Sequence, residues 1–306
     1  MFDDLYYRHS GRFSVLGVLA GLAAGTVAAM VLSFAYAYAL LYIPIVYASF
    51  FVCAAYGAAI GFASVACMVR FKMRNSAVMA GVTLLVTLVG FYFSWVVWLY
   101  GLLRRDGDNP DLAFMLIQPT AIWELVLDVN AVGAWTMGRN GQAVTGIMLW
   151  VVWAAEAFFI FAVPVAIVLK AVAKPFCEEC ETWCKEETGI AVLSLDETDS
   201  LREHMEAKDF AHLERIGPAP VGASHWLQLD LYVCPNCGKT TTLSASEVKE
   251  TVNRKGEKST TTKTLVNRLL LDPAQRETLR QMCSRVEAAR LAAIDPASPP
   301  SEPTTT

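Results

Sequence analysis

From Phe13 to Leu41 the chain runs without one charged residue. At about 1.5 Å of rise per residue such a run crosses a ~30 Å hydrocarbon layer with some tilt. The rest of the first half repeats the pattern, and the whole chain is 55% hydrophobic and only 18% charged, with a mean hydropathy of +0.40. A chain of 306 residues with that balance reads as a membrane protein. Its formal net charge of -4 conceals a division. Residues 1–169 hold 8 Lys+Arg against 8 Asp+Glu, and residues 170–306 hold 17 against 21, so only the second half carries the charge density of a fully hydrated domain.

Four spans follow from the apolar runs. The first is Phe13 to Leu41; a cleaved signal peptide ending near Ala35-Tyr36-Ala37 is the rival reading, but the run is far longer than a signal h-region of about 7–15 residues. Pro44 suits the first turn of a second helix, Ile45 to Val69, which the basic loop Arg70, Lys72, Arg74 closes. Ser76 to Leu103 is the third, with Trp95, Trp98 and Tyr100 gathered near its far end, and Gln142 to Leu169 is the fourth. If the four alternate, Arg8, Arg12, Arg70, Lys72, Arg74, Lys170 and Lys174 fall on one side, against Arg104, Arg105 and Arg139 on the other. The cation excess predicts a cytoplasmic (inner) membrane protein with both termini in the cytoplasm.

Within the spans, Gly17, Gly21 and Gly25 share one face of the first helix, and Gly57 and Gly61 one face of the second. Small residues let helix backbones approach closely in lipid, so a tight helix contact is expected there, within the chain or between two copies. Glu156 is the one charged residue inside any span. A carboxylate at that depth costs ~2.5 kcal/mol or more, so it must face the bundle interior, be protonated, or pair with a donor such as Ser94, Thr83 or Thr87. It is either a structural carboxyl or a proton or cation site. Between the third and fourth spans, residues 104–141 form a long loop. Asn109-Pro110 predicts a short helix and Pro119 a second, along which Ile122, Leu125, Val126, Val129 and Val132 recur at helical spacing while Glu124 and Asp128 project away. This helix ends near Gly133 and lies flat at the interface, with Trp123 and Trp135 suited to that boundary. It is a strut on its own bundle, or a lid or docking surface.

Past Lys174 the chemistry changes. Cys177-Glu-Glu-Cys180 and Cys234-Pro-Asn-Cys237-Gly238 are two turns of the kind that present paired thiolates to one ion. In a reducing compartment thiolates hold metal rather than forming structural disulfides. Together, Cys177, Cys180, Cys234 and Cys237 predict a closed tetrahedral site whose natural occupant is zinc, with iron as the alternative. Cys184 is a competing ligand, disfavoured because it would widen the first loop to CxxxC. The second pair, with a glycine just past its second cysteine, resembles the knuckle of zinc-ribbon proteins. The resemblance covers about residues 176–271 and implies a zinc-pinned antiparallel ribbon. It departs from the usual pattern in that 53 residues separate Cys180 from Cys234, where about 15–20 is common. Ile190 to Leu195 reads as a strand, and Asp196 or Asp199 opens helical sequence through Glu214, stopped by Gly217-Pro218. Trp226 to Val233, Lys239 to Val252 and Ser259 to Leu271, with a turn at Asn253 to Gly256, predict a three-stranded antiparallel sheet built on a hairpin. Asp272-Pro273-Ala274-Gln275 predicts a capped helix carrying Leu279, Met282, Val286 and Ala289, with Cys283 buried on that side.

The expected architecture is therefore an all-α four-helix membrane bundle plus a cytoplasmic α+β zinc-ribbon domain. Its parts are an amino-terminal segment (1–12), the membrane domain (13–174), the ribbon-like domain (175–295) and a disordered tail (296–306). This layout is similar to bacterial polytopic membrane proteins that end in a zinc ribbon. No nucleophile–base pair or open His/carboxylate metal site marks an enzyme. The hairpin from Lys239 to Leu271 is basic, with 7 Lys+Arg against 3 Asp+Glu, but Glu178, Glu179, Glu181, Glu186 and Glu187 crowd the first knuckle, which argues against nucleic acid. Partners are expected to be the lipid bilayer and a protein, either another chain or a second copy. The expected function is a membrane-anchored, zinc-binding scaffold or interaction protein; the alternative is a small transporter, channel or sensor using Glu156 and the loop helix.

Overall fold

A computed structural model of the chain describes residues 5–43, 46–133, 136–137, 142–195, 200–253 and 256–294. Pro44 and Ile45, Trp135, Arg139, Asp196, Asp199, most of the turn after Asn253 and the segment 296–306 lie outside the described residues. The chain divides into two compact units, Ser10–Ala173 and Met1–His9 with Lys174–Thr306.

The first unit is helical. Its long helices are α1 (Val15–Tyr42), α2 (Val46–Arg70), α3 (Ser76–Arg105) and α6 (Gly146–Ala171), and short α4 (Leu112–Leu116) and α5 (Pro119–Val132) lie between α3 and α6. Each of the four long helices is long and apolar enough to cross a membrane. Caps in the sequence set several of the starts. The Ser14 hydroxyl accepts from the Gly17 N–H at 3.3 Å, and the Asn75 carboxamide accepts from the Val78 N–H at 3.0 Å. The short helix of the loop is capped by Asp111, which accepts from the Ala113 N–H at 2.9 Å, rather than opened at Asn109-Pro110. Pro119 does take the first turn of α5, which ends at Gly133. The fourth long helix begins at Gly146, four residues after the sequence expectation, because Gln142–Ala143 (β2) pairs with Thr136–Met137 (β1) in a two-stranded ladder.

Side chains that a soluble fold would bury face outward on this unit, among them Ile147 (84% exposed), Phe51 (80%) and Val15 (67%). Its interior is held by close approach. A Cβ at Gly21 would sit 2.7 Å from the Met68 side chain, and one at Gly57 would sit 2.8 Å from the Ile160 carbonyl oxygen. The two glycine faces therefore do not meet each other: that of α1 receives side chains of α2, α3 and the turn between them, and that of α2 receives the backbone of α6. On α5, Ile122 and Val126 are buried and join Phe93, Val97 and Trp153 in one core, while Glu124 and Asp128 are exposed. Val132, which the helical spacing assigned to the apolar face, is exposed at the end of the helix.

The second unit is α+β. After the small hairpin of β3 (Phe176–Cys177) and β4 (Thr182–Trp183), it holds β5 (Lys185–Leu193), α7 (Leu201–Glu206), α8 (Phe210–Ile216), β6 (His225–Val233), β7 (Thr241–Val252), β8 (Lys258–Leu271) and α9 (Pro273–Ile294). One antiparallel sheet runs β5-β6-β7-β8, so it has four strands where the sequence predicted three. The strand expected at Ile190 to Leu195 starts earlier, at Lys185, with a register shift between Glu187 and Ala191. Its charged start fits a sheet edge, where strands tolerate and use charge. Alternation along β6 turns Leu227, Leu229 and Leu231 inward, against Leu201 and Met205 of α7, Phe210 and Leu213 of α8, and Leu279, Met282, Cys283 and Val286 of α9. Ala289 stays exposed beyond that core. At the start of α9 the Asp272 carboxylate accepts from the Gln275 N–H at 2.8 Å and the Gln275 carboxamide accepts from the Asp272 N–H at 3.0 Å, a reciprocal capping box.

The amino-terminal residues belong to this unit. The Leu270 N–H donates to the Leu5 carbonyl at 2.8 Å and the Tyr7 N–H to the Arg268 carbonyl at 2.9 Å, with Tyr6 bridging Leu269, so Leu5 to Tyr7 lie antiparallel along the free edge of β8.

Candidate metal centre

Two tight turns, 53 residues apart in sequence, build one site. The first is the turn between β3 and β4, which carries Cys177 at the end of β3 and Cys180 within it. Its left-handed position falls on Glu181 (φ 48°), outside the cysteine pair. The second links β6 to β7 and carries Cys234 and Cys237. Here Gly238 takes the left-handed conformation (φ 65°), which glycine adopts without strain, and a side chain at this position would collide with Arg276. The turn is closed by the Gly238 N–H donating to the Cys234 carbonyl at 3.0 Å and the Cys234 N–H to the Thr240 carbonyl at 2.9 Å. From the start of α9, Arg276 Nη1 donates to the Gly238 carbonyl at 3.0 Å and fixes the back of the knuckle.

The four sulfurs of Cys177, Cys180, Cys234 and Cys237 all lie within 4.8 Å of one another, and Cys177 Sγ to Cys237 Sγ is 3.7 Å. Four thiolates around one zinc at about 2.3 Å would stand about 3.8 Å apart, so the spacing fits a tetrahedral ion. Cys177 and Cys234 are buried, Cys180 is half-buried and Cys237 is exposed, so the site lies at the edge of the domain. The backbone N–H of Lys239 points at Cys237 Sγ, 3.5 Å away, a donor suited to a thiolate. Cys180 shows what the crowding does: its thiol is pushed up to about 12, first by its hydrogen bond to Cys237 and then by desolvation and the remaining two cysteines. A divalent cation at the centre of such a set supplies the charge that lets thiols bind as thiolates.

Cys184 is not one of the four. It is buried beside them and directs its Sγ to the Thr240 carbonyl at 3.8 Å, and burial first, then the charge of the neighbouring cysteines, pushes its thiol up to about 12. The acidic residues around the first knuckle have structural partners. Glu179 meets Lys239 Nζ of the second knuckle at 2.7 Å, Glu186 accepts from the Tyr232 hydroxyl at 2.7 Å, and Glu187 accepts from Arg280 at 2.9 Å. A residue with no motif of its own, Tyr7, braces the same knuckle: its hydroxyl accepts from the Phe176 N–H at 2.9 Å and donates to the Phe176 carbonyl at 3.1 Å, one residue before Cys177.

The histidines form no ligand set among the described residues. His204 stacks on His212 with ring centroids 3.7 Å apart and pairs with Asp209, and His225 Nε2 meets Glu247 at 2.8 Å.

In the helical unit, Glu156 of α6 is buried, with 6% of its surface exposed. Its hydrogen-bonding neighbour is Ser49 of α2, whereas Ser94 donates to the Phe91 carbonyl at 2.8 Å and Thr87 to the Thr83 carbonyl at 2.8 Å, each within α3. The sequence signal for this polar environment was on α2, where Ser49, Cys53, Tyr56 and Ser64 recur on one buried face. No protein-family model matches the chain, and no curated protein or solved structure matches it either.

Proposed function

We propose that this chain is a membrane-anchored scaffold or interaction protein whose aqueous domain is pinned by one zinc ion held by Cys177, Cys180, Cys234 and Cys237. The single observation that carries the reading is the convergence of those four sulfurs within 4.8 Å from two separate turns. Zinc is preferred because it is redox-inert and suits a closed set of four thiolates, while iron is the minor occupant of such a set. The two knuckles, the glycine after the second and the antiparallel strands between and beyond them support kinship with zinc ribbons, with the α7–α8 excursion inserted between the ligand pairs. A four-thiolate shell leaves no open coordination position for a substrate or an activated water, which favours structure over catalysis.

Insertion of α1, α2, α3 and α6 into the cytoplasmic membrane is supported by their length and composition and by the exposed apolar belt of the helical unit. Leu5 to Tyr7 precede the first of these helices and share one folded unit with the residues that follow the last. An even number of crossings returns a chain to its starting side, so this supports both ends in one compartment, and the cation distribution favours the cytoplasm as that compartment. The second reading, a small transporter or sensor, is favoured by one observation, the buried carboxyl of Glu156.

The scaffold reading is tested by recovering the full chain and a Cys234→Ser variant from native membranes at equal abundance. Proteins retained by the former and lost by the latter support a metal-dependent docking domain. An identical set of bound proteins, or none in either case, counts against it.

A further inference from the structure

The strongest unassigned feature of the helical unit is the carboxyl of Glu156. Its Oε1 is buried and has no hydrogen-bond partner among the described residues. It faces a cavity of about 30 Å³ whose lining includes Tyr36, Ser94, Trp95, Trp98 and Trp153. A cavity needs roughly 10–15 Å³ to hold one water, so this space takes one or two and excludes any organic substrate.

What could neutralise the carboxyl can be taken element by element. The groups near it are Tyr36 on α1, Ser49 and Cys53 on α2 and Ser94 on α3. On α6 itself the neighbouring wall is Trp153. Glu124 and Asp128 of α5 lie on the exposed side of that helix. No lysine, arginine or histidine is among these groups. A metal cation is poorly served as well, since such an ion wants several oxygen ligands and three of the lining side chains are indoles, whose polar atom is a donor only. A carboxyl in this setting has one economical state, the protonated acid, with its spare oxygen hydrogen-bonded to water in the cavity.

We propose that Glu156 is a proton-binding site: a carboxylic acid at neutral pH that holds a dissociable proton in the interior of the bundle, with the Ser49 hydroxyl and one or two waters as its hydrogen-bond partners. Phe91, Trp95 and Trp153 wall this cavity and also line a larger apolar groove, about 530 Å³, under α5. The site thus stands one layer of rings from the surface of the bundle. The inference rests on the helical unit alone and is independent of the metal centre.

The test uses the full chain in detergent or liposomes and dicyclohexylcarbodiimide, an apolar reagent that reacts with protonated carboxyls. The acid O–H adds across one C=N bond, its proton going to nitrogen and its oxygen to carbon. The acyl group then migrates to nitrogen and leaves a stable acylurea, so the adduct is the sum of the two reactants. At pH 7 an ordinary solvated glutamate is protonated about one part in 500. A protonated Glu156 should therefore be labelled on the order of a hundredfold more than exposed carboxylates, as read by mass spectrometry of its peptide. Labelling should fall as pH is raised and be indifferent to sodium. The infrared carbonyl band of a protonated acid should be present in the native chain and absent in Glu156→Gln. Labelling no greater than at surface carboxylates, or the absence of that band, would overturn the proposal. Protection by sodium at fixed pH would replace the proton with a metal cation and overturn it equally.

Discussion

The two units of this protein solve the same packing problem in opposite ways. In the helical unit the contacts that bring helices together are made by what is missing: Gly57 lets α2 rest on the backbone of α6, and Gly21 admits Met68. In the second unit they are made by what is added, a sheet face of leucines covered by three helices, and beyond it four cysteines. On the proposed insertion of the four long helices, the difference follows from the solvent. Lipid is as apolar as leucine and gives no reward for burying it, so close van der Waals approach decides helix contacts there, whereas water drives leucine inward. The four-cysteine site belongs to a third regime. Its small cluster of Cys177, Cys184 and Cys234 is separate from the leucine core.

The comparison can be broken most decisively at that cluster. Cys234→Ser should release the metal and cost the knuckle end of the domain on the order of 5 kcal/mol, leaving the helices of the other unit intact. Limited proteolysis should find new cuts near residues 175–184 and 234–240; unchanged resistance would contradict a metal-dependent fold. Next in size is Gly57→Val, which forces a side chain into the Ile160 backbone and should cost about 2–3 kcal/mol by thermal or denaturant unfolding in detergent. Gly81→Ala is its control: a Cβ there meets nothing within 4 Å, so a helix-favouring gain of about 0.5–1 kcal/mol is expected. If both variants behaved alike, glycine spacing would not be what holds the bundle. Tyr7→Phe removes the hydroxyl that satisfies both backbone groups of Phe176 and should cost about 1–2 kcal/mol, seen as faster amide exchange at the first knuckle.

The smallest effect is a pH dependence at Lys208. Its ammonium donates to the Leu270 carbonyl at 2.5 Å, and burial lowers its pKa to about 8 despite the nearby carboxylates of Asp272 and Glu206. Folding therefore favours the neutral amine, and between about pH 8 and the ordinary lysine range the unfolded chain binds more protons than the folded one. Stability of the second unit should accordingly rise with pH across that window. Lys208→Met should flatten the slope in a denaturant titration.

Much of this was readable in the residues. Apolar runs announced the four long helices, the Cys-x-x-Cys spacings and Gly238 announced both knuckles, and Asp272-Pro273-Ala274-Gln275 announced the start of α9, because each is a local signal with a local cause. The unread parts depend on distant partners. Leu5 to Tyr7 are too short for any period to show, and their ladder is with residues near 269. The faces receiving Gly21 and Gly57 could not be assigned because glycine spacing marks a contact without naming its partner. Ser49 was missed as the neighbour of Glu156 for a related reason, since a hydroxyl on one helix gives no sign of which helix it faces. Lys185 to Glu187 precede the strand expected at Ile190, and only in the folded sheet do Glu186 and Glu187 find Tyr232 and Arg280.

The most direct test of the account is X-ray absorption at the metal edge on the full chain, purified without added metal. The prediction is one zinc per chain surrounded by four sulfurs at about 2.3 Å. A folded chain carrying well under one metal ion, or a first shell containing nitrogen or oxygen in place of sulfur, would contradict the assignment of Cys177, Cys180, Cys234 and Cys237 to a single ion.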